Sequence, residues 1–207
     1  MTATATQHFL GAAPLFVLPA GKKIKGLYSA PKKWQTSTPD GNDERLAKAG
    51  LGCGYGMVCG HAYDVLDIDP RNGGDESLKT LAMENEIPTP HYVVSTPSGG
   101  WHIYLTPLGI GTHHGFLPGL DLQGAGSFVF CPPTAGYAVL ETWPELGVQS
   151  VDAADRLRSR ASRFAPRSRP VFIKPSPPRG TPVASRTIED LLAQWQQITI
   201  DTLQSIA

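Results

Sequence analysis

"YDVLDIDPRNGG", residues 63–74, reads as a strand that ends on charge. Val65, Leu66 and Ile68 supply an apolar run, and Pro70 with the glycines at 73 and 74 stops it. Side chains alternate along a strand, so Val65, Asp67 and Asp69 share one face while Leu66 and Ile68 take the other. An unpaired carboxylate costs several kcal/mol to bury. Two of them, about 7 Å apart at one strand end, must reach water or meet a cation. Aspartates that cap a loop are the plain reading. Hard oxygen donors, few in number, are the alternative, and they suit Mg²⁺ or Mn²⁺.

The flanking segments extend this strand into a mixed α/β domain over residues 14–165. "LFVL" (15–18), "GYGMVCG" (54–60), "HYVVST" (91–96) and "WHIYL" (101–105) read as strands. "PSGG" (97–100) between the last two is a hairpin signal. "GLDLQ" and "SFVFC" read as a second hairpin around "GAG" (124–126). "GNDERLAKAG" is a short helix candidate closed by Gly50. "GDESLKTLAMENEI" is a helix capped by Asp75, with Leu78, Leu81 and Ala82 on one face and Pro88 as its stop. "VDAADRLRSRASRF" is a third helix candidate.

Beyond it, residues 165–182 carry six prolines and read as an extended linker or arm. "TIEDLLAQWQQITIDTLQSIA" then gathers Ile188, Leu191, Leu192, Trp195, Ile198 and Leu203 on one helical face, behind a Thr187/Asp190 capping signature. The expected organisation is a main domain over 1–165, a Pro/Arg-rich arm over 166–182 and an amphipathic helix over 183–207. That helix packs back on the domain or docks a partner.

Composition bounds the class. The 207 residues include 22 Gly and 19 Pro, which favours strands and loops over a helical bundle. No run reaches the ~18 apolar residues of a membrane span. Three cysteines without framework spacing point to a reducing, cytoplasmic setting. Net charge is zero, yet eight of 18 basic residues fall between Arg156 and Arg179 and five between Lys22 and Lys33, with no acid among either set. Such patches suit a polyanionic partner, although solvated loops look the same.

Two further segments join the first. In "STPSGGWHIYL", His102 and Tyr104 face away from Trp101, Ile103 and Leu105. A histidine beside a glycine turn with exposed N–H groups is a phosphate donor, or else a structural sheet histidine. In "GLDLQGAGSFVFCPPT", Asp121 and Gln123 lie opposite Leu120 and Leu122, offering a third carboxylate. Cys53, Cys59 and His61, with His113 and His114 later, lack the paired spacing of a zinc site, and the cysteines read better as small buried residues. Trp34 and Tyr55 are candidates for base stacking or for the core.

Taken in order, "VLDIDPRNGG", "TPSGGWHIYL" and "GLDLQGAGSFVFCPPTAGY" resemble the archaeo-eukaryotic primase superfamily. Within it they resemble the bifunctional DNA primase/polymerase N-terminal domain of phages and plasmids, over residues 14–140. The resemblance implies an α+β fold: an antiparallel sheet like that of an RNA-recognition motif, packed with an N-terminal α/β unit. It implies that Asp67, Asp69 and Asp121 hold catalytic Mg²⁺ or Mn²⁺. It also implies that His102, with Ser98, Gly99 and Gly100, contacts the incoming nucleoside triphosphate. Gly100 stands where the superfamily has a serine.

Lys22, Lys23, Lys25, Arg167 and Arg169 are candidates, by charge alone, for contacts to a single-stranded DNA template and primer. The activity implied is template-directed nucleotide addition to a 3′-hydroxyl in phage or plasmid replication. The chain length leaves no room for a fused helicase, so a replicative helicase is expected in trans. Two alternatives stay open: a nucleic-acid-binding module without synthesis, and a metal-dependent nuclease.

Overall fold

A computed structural model of the chain describes residues 13–20, 30–48, 52–140 and 152–163. Lys22, Lys23, Lys25, Gly50, Arg167, Arg169, the arm and the C-terminal helix lie outside these described residues. The strands are β1 (Leu15–Leu18), β2 (Gly54–Val58), β3 (Asp64–Ile68), β4 (Tyr92–Ser95), β5 (Trp101–Leu105), β6 (His113–Leu117), β7 (Leu120–Gln123), β8 (Phe128–Cys131) and β9 (Ala138–Val139). The helices are α1 (Asn42–Lys48), α2 (Gly74–Met83) and α3 (Ala153–Arg163). The fold is mixed α+β with antiparallel sheets, as the sequence led us to expect.

Six strands form one sheet in the order β6-β7-β3-β5-β4-β9, and three form a second in the order β1-β2-β8. The alternation read from the sequence decides how they stack. Leu66, Ile68, Ile103, Leu120 and Leu122 face one way and meet Leu78 and Leu81 of α2 and Leu157 and Ala161 of α3. Val65, Val94 and Tyr104 face the other way and meet Leu15, Tyr55, Met57 and Val129 of the small sheet. Helices, large sheet and small sheet thus make three layers, with apolar contacts on both faces of the large sheet. The outer face of the small sheet holds Phe16, Phe128 and Phe130 beneath Trp34, which is only 8% exposed. Trp34 is therefore a core residue, and so is Tyr55 at 4%. Phe16 lies opposite Gly56 on β2, and a Cβ there would fall 2.1 Å from the Phe16 ring.

Three local expectations need correction. "GLDLQ" and "SFVFC" do not form a hairpin: β7 belongs to the large sheet and β8 to the small one. A strand has two edges, and those of β7 are already taken by β3 and β6. The segment between them crosses instead. Gly124 slides under Ile110, where a Cβ would sit 2.4 Å from the carbonyl oxygen, and Ala125 packs against Gly60. The small sheet therefore completes the N-terminal unit with a strand from much later in the chain.

Asp75 lies in the first turn of α2 but does not cap it; the N-cap is Gly73, at φ 86°. Pro88 is not the stop either. The helix ends earlier in a Schellman motif, with Glu86 N donating to Leu81 O at 2.8 Å and Asn85 N to Ala82 O at 3.1 Å. Asn85 takes the left-handed position at φ 53°.

Candidate active site

β3 is the central strand, and its neighbours set the site. Asp67 pairs with His102 on β5 and with Asp121 on β7. Directly opposed residues of antiparallel strands point to the same face, so Asp121, Asp67 and His102 form one row across three strands. The row lies on the face turned to the small sheet. It opens into a cavity of about 360 Å³, lined also by Thr112, His114, Gln123, Ser127, Tyr137 and residues 128–130 of β8. Three residues from three separate motifs are brought together by register alone.

The three carboxylates are held differently. Asp121 Oδ1 accepts from Gly115 N at 2.6 Å, and His114 Nδ1 lies 2.9 Å from Oδ2. Asp69 turns to its own chain: Arg71 Nε and NH2 reach its two oxygens at 2.8 and 2.9 Å, and Asn72 Nδ2 adds a bond of 2.8 Å. The Arg71 guanidinium holds the Asp69 carboxyl below its ordinary value. Among the described residues Asp67 has only His102 Nε2 at 3.5 Å, too far for a strong hydrogen bond.

Burial, then the Asp121 and Asp69 carboxylates, push Asp67 up from 3.8 to about 7, although 38% of its side-chain surface stays open to the cleft. Burial lowers His102 to about 4. The imidazole is therefore neutral near pH 7, and its contact with Asp67 is not an ion pair. His102 is 6% exposed, and its Nδ1 has no hydrogen-bond partner among the described residues.

The turn joining β4 to β5 sits at the same end of the sheet as Asp69, but none of its residues lines the cavity. Gly100 packs on the end of β3, where a Cβ would fall 2.2 Å from the Ile68 carbonyl oxygen. That contact leaves no room for a side chain at this position. The expectation of exposed N–H groups needs correction. Gly99 N donates to Thr96 O at 3.0 Å and Gly100 N to Thr96 Oγ1 at 3.2 Å, so both are used inside the turn. Ser98 Oγ lies 2.9 Å from Thr96 Oγ1, both exposed.

Three groups at this site escaped sequence reasoning. Tyr137 lines the cavity with its ring 5.8 Å from that of His102, and burial followed by Asp67 and Cys131 pushes its phenol up to about 12. "PPTAGY" carried no sign of this. His114 reaches Asp121 because β6 is irregular: His113 pairs with Leu122 and Leu117 with Leu120, so β6 carries two extra residues between them. Gly115 at φ 59° helps to absorb them. "LPGL" (117–120) was a legible turn signal for the β6–β7 hairpin, but the bulge was not. Arg71 was visible only as a loop residue.

The arginines of α3 are partly spent within the protein. Arg160 pairs with Glu84 and Glu86, Arg158 with Asp155, and Arg156 reaches the Glu84 carbonyl. They offer less free positive charge than the sequence suggested. Cys59 and Cys131 are buried, with thiols pushed up by burial, and all three cysteines are free.

Among the described residues, no three histidine, cysteine or acidic side chains are already arranged as a metal cluster, and no helix is long and apolar enough to cross a membrane. The donor set nonetheless fits a hard divalent cation. It is dominated by carboxylate oxygens, and Asp67, open to the cleft and crowded by Asp121 and Asp69, is a carboxylate that a cation would relieve. No curated protein matches the chain. The family described as bifunctional DNA primase/polymerase, N-terminal (Prim-Pol), matches residues 10–147, most of the sequence and all three motifs, and the chain belongs to that family.

Proposed function

We propose that this chain is a template-directed nucleotidyltransferase that adds nucleotides to the 3′-hydroxyl of a DNA primer, with Mg²⁺ or Mn²⁺ held by Asp67, Asp121 and Asp69. The family gives the coarse activity, DNA primase/polymerase. The observation that carries the finer reading is the row Asp121–Asp67–His102, in register across β7, β3 and β5 and open to one cavity. Divalent ions at such a site supply Lewis acidity at the attacking hydroxyl and neutralise the triphosphate.

The protein groups do the positioning. Register sets the Asp67 and Asp121 backbones side by side. His102, kept neutral by burial, contributes a hydrogen bond to a phosphate oxygen and no charge. Arg71 places a guanidinium beside Asp69 at the end of β3. Residues 128–130 of β8 and Tyr137 line the same cleft. We place the activity in phage or plasmid replication, with helicase activity supplied in trans.

The test is nucleotide incorporation on single-stranded DNA with Mg²⁺ or Mn²⁺, with and without a primer, beside Asp67→Ala. Product from the wild type that needs the metal and vanishes in the variant supports the reading. Product without a primer makes the enzyme a primase. DNA binding with no incorporation under any metal overturns it in favour of a binding module, and nucleotide release overturns it in favour of a nuclease.

A further inference from the structure

The two ends of the acid row are prepared differently, and the difference lies in β6. Asp69 has its own partners, and to face a shared ion it must leave Arg71 and Asn72. Asp121 is held in a fork that leaves it on the cleft. One prong is backbone: Gly115 N–H to Oδ1 at 2.6 Å. The other is His114, whose Nδ1 meets Oδ2 at 2.9 Å. An ionised carboxylate only accepts hydrogen bonds, so Nδ1 carries the hydrogen.

Both prongs come from the bulge, where β6 carries two more residues between His113 and Leu117 than β7 does between their partners. Gly115 at φ 59° adopts the left-handed conformation the bulge requires. Each carboxylate oxygen has a second lone pair. With one on each oxygen used by the fork, the remaining ones stay directed by it, and Asp121 keeps its place beside Asp67 without a metal.

We infer that His114 is a positioning residue: through its Nδ1–H bond it pre-orients Asp121 for the divalent cation, so that the Asp67–Asp121 pair is the first part of the site to take up metal. The inference rests on the proposed metal role of these carboxylates and adds a residue to it. A carboxylate that must be reoriented on each binding event holds its ion less tightly. Loss of a partner one step behind a ligand typically weakens binding by about tenfold or more. Asparagine in place of His114 keeps an N–H donor near the Nδ1 position, whereas alanine removes it.

The experiment measures Mn²⁺ binding directly, by electron paramagnetic resonance of free Mn²⁺. It uses the full chain and the variants His114→Ala, His114→Asn and Asp67→Asn, each checked for a cooperative melt. The expected result is about tenfold weaker binding in His114→Ala, most of the affinity kept in His114→Asn, and incorporation by His114→Ala restored when Mn²⁺ is raised. If the wild type binds no Mn²⁺, or Asp67→Asn binds as the wild type does, the proposed metal site itself fails. If the wild type binds through Asp67 but His114→Ala binds equally well, only the role of His114 is overturned. Equal loss in His114→Asn and His114→Ala also overturns it, since the imidazole would then act otherwise than through its Nδ1 donor.

Discussion

Asp67 is the residue on which folding and the proposed activity pull in opposite directions. Its carboxyl is raised from 3.8 to about 7 by burial and by Asp121 and Asp69. A raised folded-state value means that the folded protein holds the proton more tightly than the unfolded chain does. Stability is therefore greatest below the unfolded value and is lost as pH rises through about 7. We expect Asp67→Asn to melt higher than the wild type at about pH 8 in the absence of divalent metal, with the difference vanishing near about pH 4. Thermal melts across that range check this, and an unchanged gap across pH would mean that the two neighbouring carboxylates do not strain the fold. Added Mn²⁺ should raise the wild-type melt and leave that of Asp67→Asn nearly unmoved. Stability given up for a functional charge is a common exchange.

At the scale of elements, chain turns depend on a few backbone positions. The end of β3 is locked to the β6–β7 turn: Asp69 N donates to Gly119 O at 2.8 Å, and Ser77 Oγ donates to Pro118 O at 2.7 Å. Gly119 lies at φ 65°, and a Cβ there would fall 2.3 Å from Gly74 N, so the glycines of "PRNGG" and "LPGL" serve one crossing. Helix α2 shows the same dependence at its far end. Asn85 holds the left-handed position of the Schellman motif, a conformation that costs an ordinary L-residue about 1–2 kcal/mol. Asn85→Ala should therefore destabilise the protein by about 1 kcal/mol, and Asn85→Gly should not. Urea denaturation of the two variants decides between this and a helix that ends for want of space before Pro88.

For the whole molecule, the large sheet must be covered on both faces before the acid row has a cleft to face. The helical layer does this on one side, where Leu157 is fully buried and Arg160 ties α3 to Glu84 and Glu86 beyond the end of α2. Leu157→Ala leaves a cavity there and should cost about 2–5 kcal/mol. The row lies on the opposite face, so the folded variant should bind Mn²⁺ with the wild-type affinity. A melt lowered without loss of metal affinity is the expected pair of results. Loss of affinity in protein that is still folded would show that the helical layer also shapes the row.

The sequence by itself determined seven of the nine described strands, the two faces of β3, β5 and β7, and the residues that form the row. Alternation is a local property, so "VLDID", "WHIYL" and "LDLQ" could each be assigned a buried and an open side with no knowledge of their neighbours. The order of the three motifs was enough to point to the family. Tertiary structure decided the rest. Which strands pair depends on which edges remain free, and that turned an expected hairpin at "GAG" into a crossing between sheets. Whether an N–H is available depends on its own turn, and Gly99 and Gly100 had already used theirs. The partners of each acid depend on what the fold brings near. A bulge in β6 brought His114 to Asp121, and the turn after β3 returned Arg71 to Asp69. These are contacts between chain segments or within one tight turn, set by packing and register, and no periodicity in the residues records them.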